Sequence, residues 1–274
     1  MPLPRNNLYP DFNISRLSHI ELGVKDLEAS FAFYVETLGL QVTEKESNYI
    51  YLRGMEERGH HSVILKKSEE PTCNVLGYKV FDEEQLYKAE NYFNSKNIKT
   101  KWIERPFQGK TLLTHDIHGI PIEFYYQMDR LPTIHQKYKL YTGVKPLRID
   151  HFNVFSINVD ESVKFYSDLG FRVTEYTEDE KSKKLWAAWM HRKGTVHDIA
   201  FTNGVGPRLH HVAFWVPTPM NIIDLLDVMS TTGYIENIER GPGRHGISNA
   251  FFLYIRDPDG HRTEIYCSDY QTVD

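Results

Sequence analysis

The sequence predicts an α+β protein of two domains, each made of paired βαβββ modules whose curved sheets enclose a cavity. Three repeats predict it. "RLSHIEL" (16–22) returns near the midpoint as "RIDHFNV" (148–154): an arginine, two spacers, a histidine, then an apolar stretch. "DLEASFAFYVETLGLQVTE" (26–44) is answered by "VDESVKFYSDLGFRVTE" (159–175), with Phe33-Tyr34 against Phe165-Tyr166 and Gly39 against Gly170. "DIHGIPIEFYY" (116–126) is answered by "DPDGHRTEIYC" (257–267). Internal duplication on this scale constrains a fold more than any single propensity does.

Taken in order, each half opens on an alternating strand, followed by a short amphipathic helix that glycine stops and a further strand. A second helix is predicted at 82–97, "DEEQLYKAENYFNSKN", with its counterpart at 220–233, "MNIIDLLDVMSTTG". Each half then closes on a tight Asp/Gly turn and a strand carrying a glutamate, Glu123 or Glu264. The expected division is a first domain at 1–130, a linker at 131–145 and a second domain at 146–274. The glycines and proline at 241–246 predict a loop there.

Composition narrows the class. With 41% hydrophobic and 25% charged residues the chain is an ordinary globular one. A net charge of −5 gives no reason to expect nucleic acid or an anionic membrane as partner. No apolar run approaches the ~18 residues of a membrane span. The opening "MPLPRNNLYPDF" has no apolar signal core. Two distant cysteines, Cys73 and Cys267, fit a reducing compartment. A cytoplasmic location is therefore expected.

The chemistry is predicted where the two copies differ. The second half has His151 on its first strand, His211 in "RLHHVAFWV" and Glu264 in "RTEIYC". Aligning "VLGYKV" with "HVAFWV" at Val80 and Val216 makes the first-half counterparts His19, Val75 and Glu123. Two imidazoles and one carboxylate on three strands form the facial set that suits Fe(II) and leaves coordination positions open. Imidazole binds neutral and carboxylate ionised, so the set works near neutral pH. Each residue alone has a bland reading as a core histidine or a surface acid, and the duplicated framework is what lifts the metal reading above it. The first half is expected to be non-catalytic, having lost one ligand. His210 should face away from His211. His191 and His197 precede the second ligand, and strand alternation aims His197 either into the cavity as an acid/base or onto the surface. Arg240, Arg244 and His245 sit in the predicted loop, and Tyr254 lies on the strand beside Glu264.

"RIDHFNV", "AAWMHRKGTVHD", "PRLHHVAF" and "ERGPGRHGISNAFFLYIRDPDGHRTEIY" resemble the extradiol ring-cleaving dioxygenases of the vicinal-oxygen-chelate superfamily, over nearly the whole chain. The resemblance implies the glyoxalase-like fold of paired βαβββ modules. It also implies an enzyme of aromatic degradation that opens a catechol, 3,4-dihydroxyphenylacetate or a relative, with both atoms of O2. His151, His211 and Glu264 would hold Fe(II), or Mn(II), which takes the same ligands. His197 would be the acid/base, and Tyr254 and His245 would hydrogen-bond substrate and oxygen. Asn153 and Trp189 would border the substrate, and Arg240 would receive its carboxylate. A homotetramer is implied. Relatives extend beyond the position of Asp274 into a tail that covers the site, so the resemblance carries reaction type further than substrate. Two other functions remain compatible with the pattern: a metal-dependent glyoxalase-like isomerase or transferase, and a metal-free small-molecule binding protein.

Overall fold

The computed structural model describes residues 3–272; Met1, Pro2, Val273 and Asp274, where the expected domains begin and end, lie outside them. The first half runs β1 (Ile14–Val24), α1 (Leu27–Phe31), β2 (Gln41–Lys45), β3 (Tyr49–Arg53), β4 (Val63–Lys67), β5 (Thr72–Val80), α2 (Glu84–Ser95), β6 (Lys101–Arg105), β7 (Gly109–His115) and β8 (Pro121–Tyr125). The second runs β9 (Arg148–Ser156), α3 (Val159–Asp168), β10 (Arg172–Glu178), β11 (Leu185–His191), β12 (Ile199–Asn203), β13 (Arg208–Trp215), α4 (Pro219–Thr231), β14 (Ile238–Arg244), β15 (Phe251–Arg256) and β16 (Arg262–Cys267). Each half is one eight-stranded sheet, ordered β2-β3-β4-β1-β5-β8-β7-β6 and β10-β11-β12-β9-β13-β16-β15-β14. The strand orders are identical under the duplication, as the repeats predict.

Local sequence explains the punctuation. The Asp26 side chain accepts hydrogen bonds from the Glu28 and Ala29 amides, and Asn158 accepts one from the Glu161 amide, so both helices begin on capped N–H groups. After α1 the chain continues as a wider π-turn through Thr37, which Gly39 ends at φ +89°; Gly170, at φ +83°, ends the matching helix. At the two closing turns, the Asp116 and Asp257 carboxylates each accept backbone N–H groups from within the turn.

The two sheets share a continuous apolar core. Tyr78 packs edge-on against Phe152 and Phe171 of the other half, with ring centroids 6.3 and 5.8 Å away, and Phe93 meets Phe165. Polar contacts cross as well: Asp198 accepts from the Leu17 amide at 2.8 Å, and Arg148 pairs with Glu56 at 2.7 Å. The segment at 131–145 is tethered, since Ile134 and Val144 are buried and Ile134 packs with Met55 and Leu147.

One expectation is corrected. Residues 241–244 belong to β14 and pair with β15; the predicted loop is only the short connection after them. Glycine and proline are accommodated because β14 is an edge strand with a one-residue bulge between Arg240 and Gly243.

Gly77 has a clear steric reason. A Cβ there would lie 2.2 Å from the His19 ring, whereas the equivalent position of the second half is Ala213. Gly77→Ala should therefore destabilise by about 1–3 kcal/mol through overpacking, read as a lowered midpoint in urea unfolding.

Candidate metal centre and the cavity around it

Three adjacent central strands build the site. β13 pairs antiparallel with β9 and parallel with β16, and Ala213 stands opposite both His151 and Glu264. His211, two residues before Ala213, projects from the same face as Ala213, so both imidazoles and the carboxylate converge. His151 Nε2 lies 3.1 Å from His211 Nε2, and each lies 3.0 Å from Glu264 Oε2. All three residues are buried. Two imidazole nitrogens aimed at each other beside a carboxylate oxygen need a proton or a cation between them.

His211 and Glu264 are in the protonation states that a cation requires. Burial lowers the His211 imidazole to about 4, so it stays neutral and a ligand. Glu264 is held well below the usual carboxylate range: burial opposes ionisation, and His211, His151 and His245 overcome it. His151 is desolvated too, but Asp150 and Glu264 raise it, because Asp150 Oδ2 lies 3.2 Å from its far nitrogen Nδ1. That contact leaves Nε2 to face the cluster, the usual outer support of a ligating histidine. Two nitrogens and one oxygen of this kind fit a divalent iron or manganese ion.

Around the cluster lies a cavity of about 70 Å³. Asn153, Trp189, His197, His245 and Tyr254, all singled out in the sequence, line it with the three ligands. The His197 ring packs against His151 with centroids 3.8 Å apart and the rings tilted by 38°, and burial and His151 together push it well below its usual range, so it is neutral. His245 Nε2 sits 2.9 Å from Glu264 Oε1 and 3.3 Å from the Tyr254 hydroxyl. Burial and Glu264 keep that hydroxyl protonated. Asn153 Oδ1 accepts from the Thr202 hydroxyl at 3.1 Å. Arg240 does not line the cavity; it is exposed and stands opposite Tyr254 across the β14–β15 pair. Arg244 bonds the Asn249 carbonyl, and His191 bonds the Lys193 carbonyl, both away from the cluster.

Three further residues around the ligands escaped the sequence reading. His210 is no ligand, but it does not face away: its Nδ1 lies 2.7 Å from Nδ1 of His211, because a register shift between Leu209 and His211 turns adjacent rings together. Asp150 had a signal, since it replaces Ser18 directly before the histidine of the repeated strand. Lys193 closes this outer layer, donating to the carbonyls of Asp150 and His197.

The first half has the same frame and a different filling. Sheet register puts Val75 opposite Glu21 as His211 is opposite Asn153, and Glu123 opposite Gly77 as Glu264 is opposite Ala213. His61 matches His197, each two residues before the strand partner of Ile20 or Phe152. Arg105 matches His245: it pairs with Gly109, whose place Ala250 takes in the second half. The Arg105 guanidinium donates to Glu123 Oε2 at 2.7 and 2.9 Å and to Glu21 at 2.5 Å, while His19 lies 2.8 Å from Glu123 Oε1.

Residues 16–109 and 148–265 match the Glyoxalase/Bleomycin resistance protein/Dioxygenase superfamily. The chain is 30% identical to a metapyrocatechase of Geobacillus stearothermophilus, over 96% of this chain and 84% of that one. It is 30% identical to a manganese-dependent 2,3-dihydroxybiphenyl 1,2-dioxygenase of Geobacillus genomosp. 3, over 95% and 87%. Its fold superposes, with TM-score 0.94 and 43% identity over 98% and 85% of the chains, on homoprotocatechuate 2,3-dioxygenase of Brevibacterium fuscum in complex with 3,4-dihydroxyphenylacetate.

Two outcomes test the contrast between the halves. His211→Ala should lose bound iron or manganese by elemental analysis; a variant that keeps one metal per chain would overturn the ligand set. Glu123 titrates at about 2, since burial resists ionisation while His19, Arg105 and Gln108 favour it more strongly. Its contribution is thus complete above its ordinary range and is lost as pH falls towards 2. Arg105→Gln should cost about 3–5 kcal/mol near neutral pH, and urea unfolding should show that gap narrowing as Glu123 protonates.

Proposed function

The chain belongs to the Glyoxalase/Bleomycin resistance protein/Dioxygenase superfamily, and we propose that it works there as an extradiol dioxygenase on 3,4-dihydroxyphenylacetate or a closely related catechol. The observation that carries this is the convergence of His151, His211 and Glu264 beside neutral His197 and protonated Tyr254. Such a set serves a substrate that must lose hydroxyl protons on binding and regain them later. A metal-free binding protein needs no such pairing.

Bound to those three ligands, divalent iron or manganese supplies Lewis acidity toward the catechol and an electron path between ring and O2. The protein's own groups do the rest. His197, uncharged and with Nδ1 unpartnered, accepts a catechol hydroxyl proton at a free ring nitrogen and returns it to oxygen; such proton transfer is worth about 10²–10⁴-fold. Tyr254 donates its hydroxyl to a substrate or oxygen atom, and His245 orients it. The Asn153 amide and the Trp189 ring hold the catechol edge and face. Arg240, opposite Tyr254, receives the side-chain carboxylate at the mouth. We assign 1–130 as a non-catalytic domain, 131–145 as linker and 146–274 as the catalytic domain. We place the chain in the cytoplasm, which the unpaired cysteines Cys73 and Cys267 support, and read it as a homotetramer, which the resemblance to extradiol dioxygenases implies.

Metal-loaded protein given 3,4-dihydroxyphenylacetate should take up one O2 per substrate and form a yellow ring-opened semialdehyde. No uptake by fully metal-loaded protein with this or any related catechol would sink the proposal. His197→Phe should keep its metal while turnover falls about 10²-fold or more; unchanged oxygen consumption would remove the acid/base role.

A further inference from the structure

A second cavity, of about 720 Å³, opens over the first half, a volume that suits a small organic ligand. Arg105, Gly109 and Tyr125 line it, and by strand register these are the counterparts of His245, Ala250 and Tyr266 in the catalytic cavity. It overlaps one side of the duplicated pocket and extends away from it. The position equivalent to the metal centre is not part of it: there Arg105 and His19 occupy the Glu123 carboxylate.

Its walls are unusually cationic for a chain of net charge −5. Arg16, Arg58, Lys79 and Arg130 face it besides Arg105, against the one carboxylate of Asp129. Among the described residues, none of those four forms an ion pair, whereas both carboxylates that Arg105 engages are satisfied. Burial, then Arg16 and Arg130, lower the Lys79 ammonium, so these positive groups act on one another. Phe107 and Tyr126 add apolar surface.

We propose that this cavity binds a small organic anion carrying two or more carboxylates, without metal. Arg16, Arg58, Lys79 and Arg130 hold its charges, and Phe107 and Tyr126 cover its apolar part. Guanidinium groups suit this task because they grip carboxylates through paired, charge-assisted hydrogen bonds. The second half needed one cation at its centre; the first keeps several at its rim.

Phthalate, an aromatic dicarboxylate, is the probe, titrated calorimetrically into the metal-loaded full chain at low ionic strength. One phthalate per chain should bind. Affinity should fall at least about tenfold in Arg58→Glu/Arg130→Glu, given the energy of charge-assisted contacts. Both side chains are exposed, so the variant should keep its thermal midpoint and its kcat/KM for catechol; Lys79→Ala supplies a second, milder loss. Binding in His211→Ala should match the parent. Binding unchanged by charge reversal, competition by the catechol substrate, or binding of inorganic phosphate but not phthalate would each overturn the proposal.

Discussion

A carboxylate buried in a sheet must be given positive charge, and both halves of this protein are organised around that requirement. Glu123 and Glu264 occupy equivalent positions and are both out of water. Left alone, either would be protonated or would destabilise the fold. In the second half two histidines and one open corner leave the charge to an external ion. In the first half a guanidinium grown from the chain itself supplies it. The sheet is the same; the source of the cation differs.

That choice spreads outward through the neighbours. Where the ion is external, its ligands need fixing from behind, and Asp150, His210 and Lys193 all touch the ligands or the strands that carry them. Where the cation is internal, no such support is needed. There the matching serine, Ser18, is bonded to Tyr125. His197 and its counterpart His61 are both held neutral by burial, but only His197 has a ligand sphere beside it on which to act.

Much of this was legible in the amino-acid order because strand alternation and duplication reinforce one another. Val75 could be matched to His211 by counting back from Val80 and Val216, and the sheet register agrees. What escaped depends on irregularities that periodicity does not encode. A bulge beside His211 brings His210 against it, and another in β14 turns an expected loop into an edge strand. The role of Arg105 was invisible for the same reason: it matches His245 only once that bulge is counted. Asp150 is the exception, since the change from Ser18 to aspartate beside His151 is plain in the sequence.

Tyr78, Phe152 and Phe171 meet across the boundary between the sheets. Removing either half would strip an aromatic face from the other, so the two cannot melt independently without a large exposure of apolar surface. Thermodynamic linkage then runs between them: an ion captured by the second half stabilises the first, and strain in the first is felt as weaker retention of the ion. The first half is therefore a standing contributor to the ion affinity of the second, through an aromatic surface shared between them.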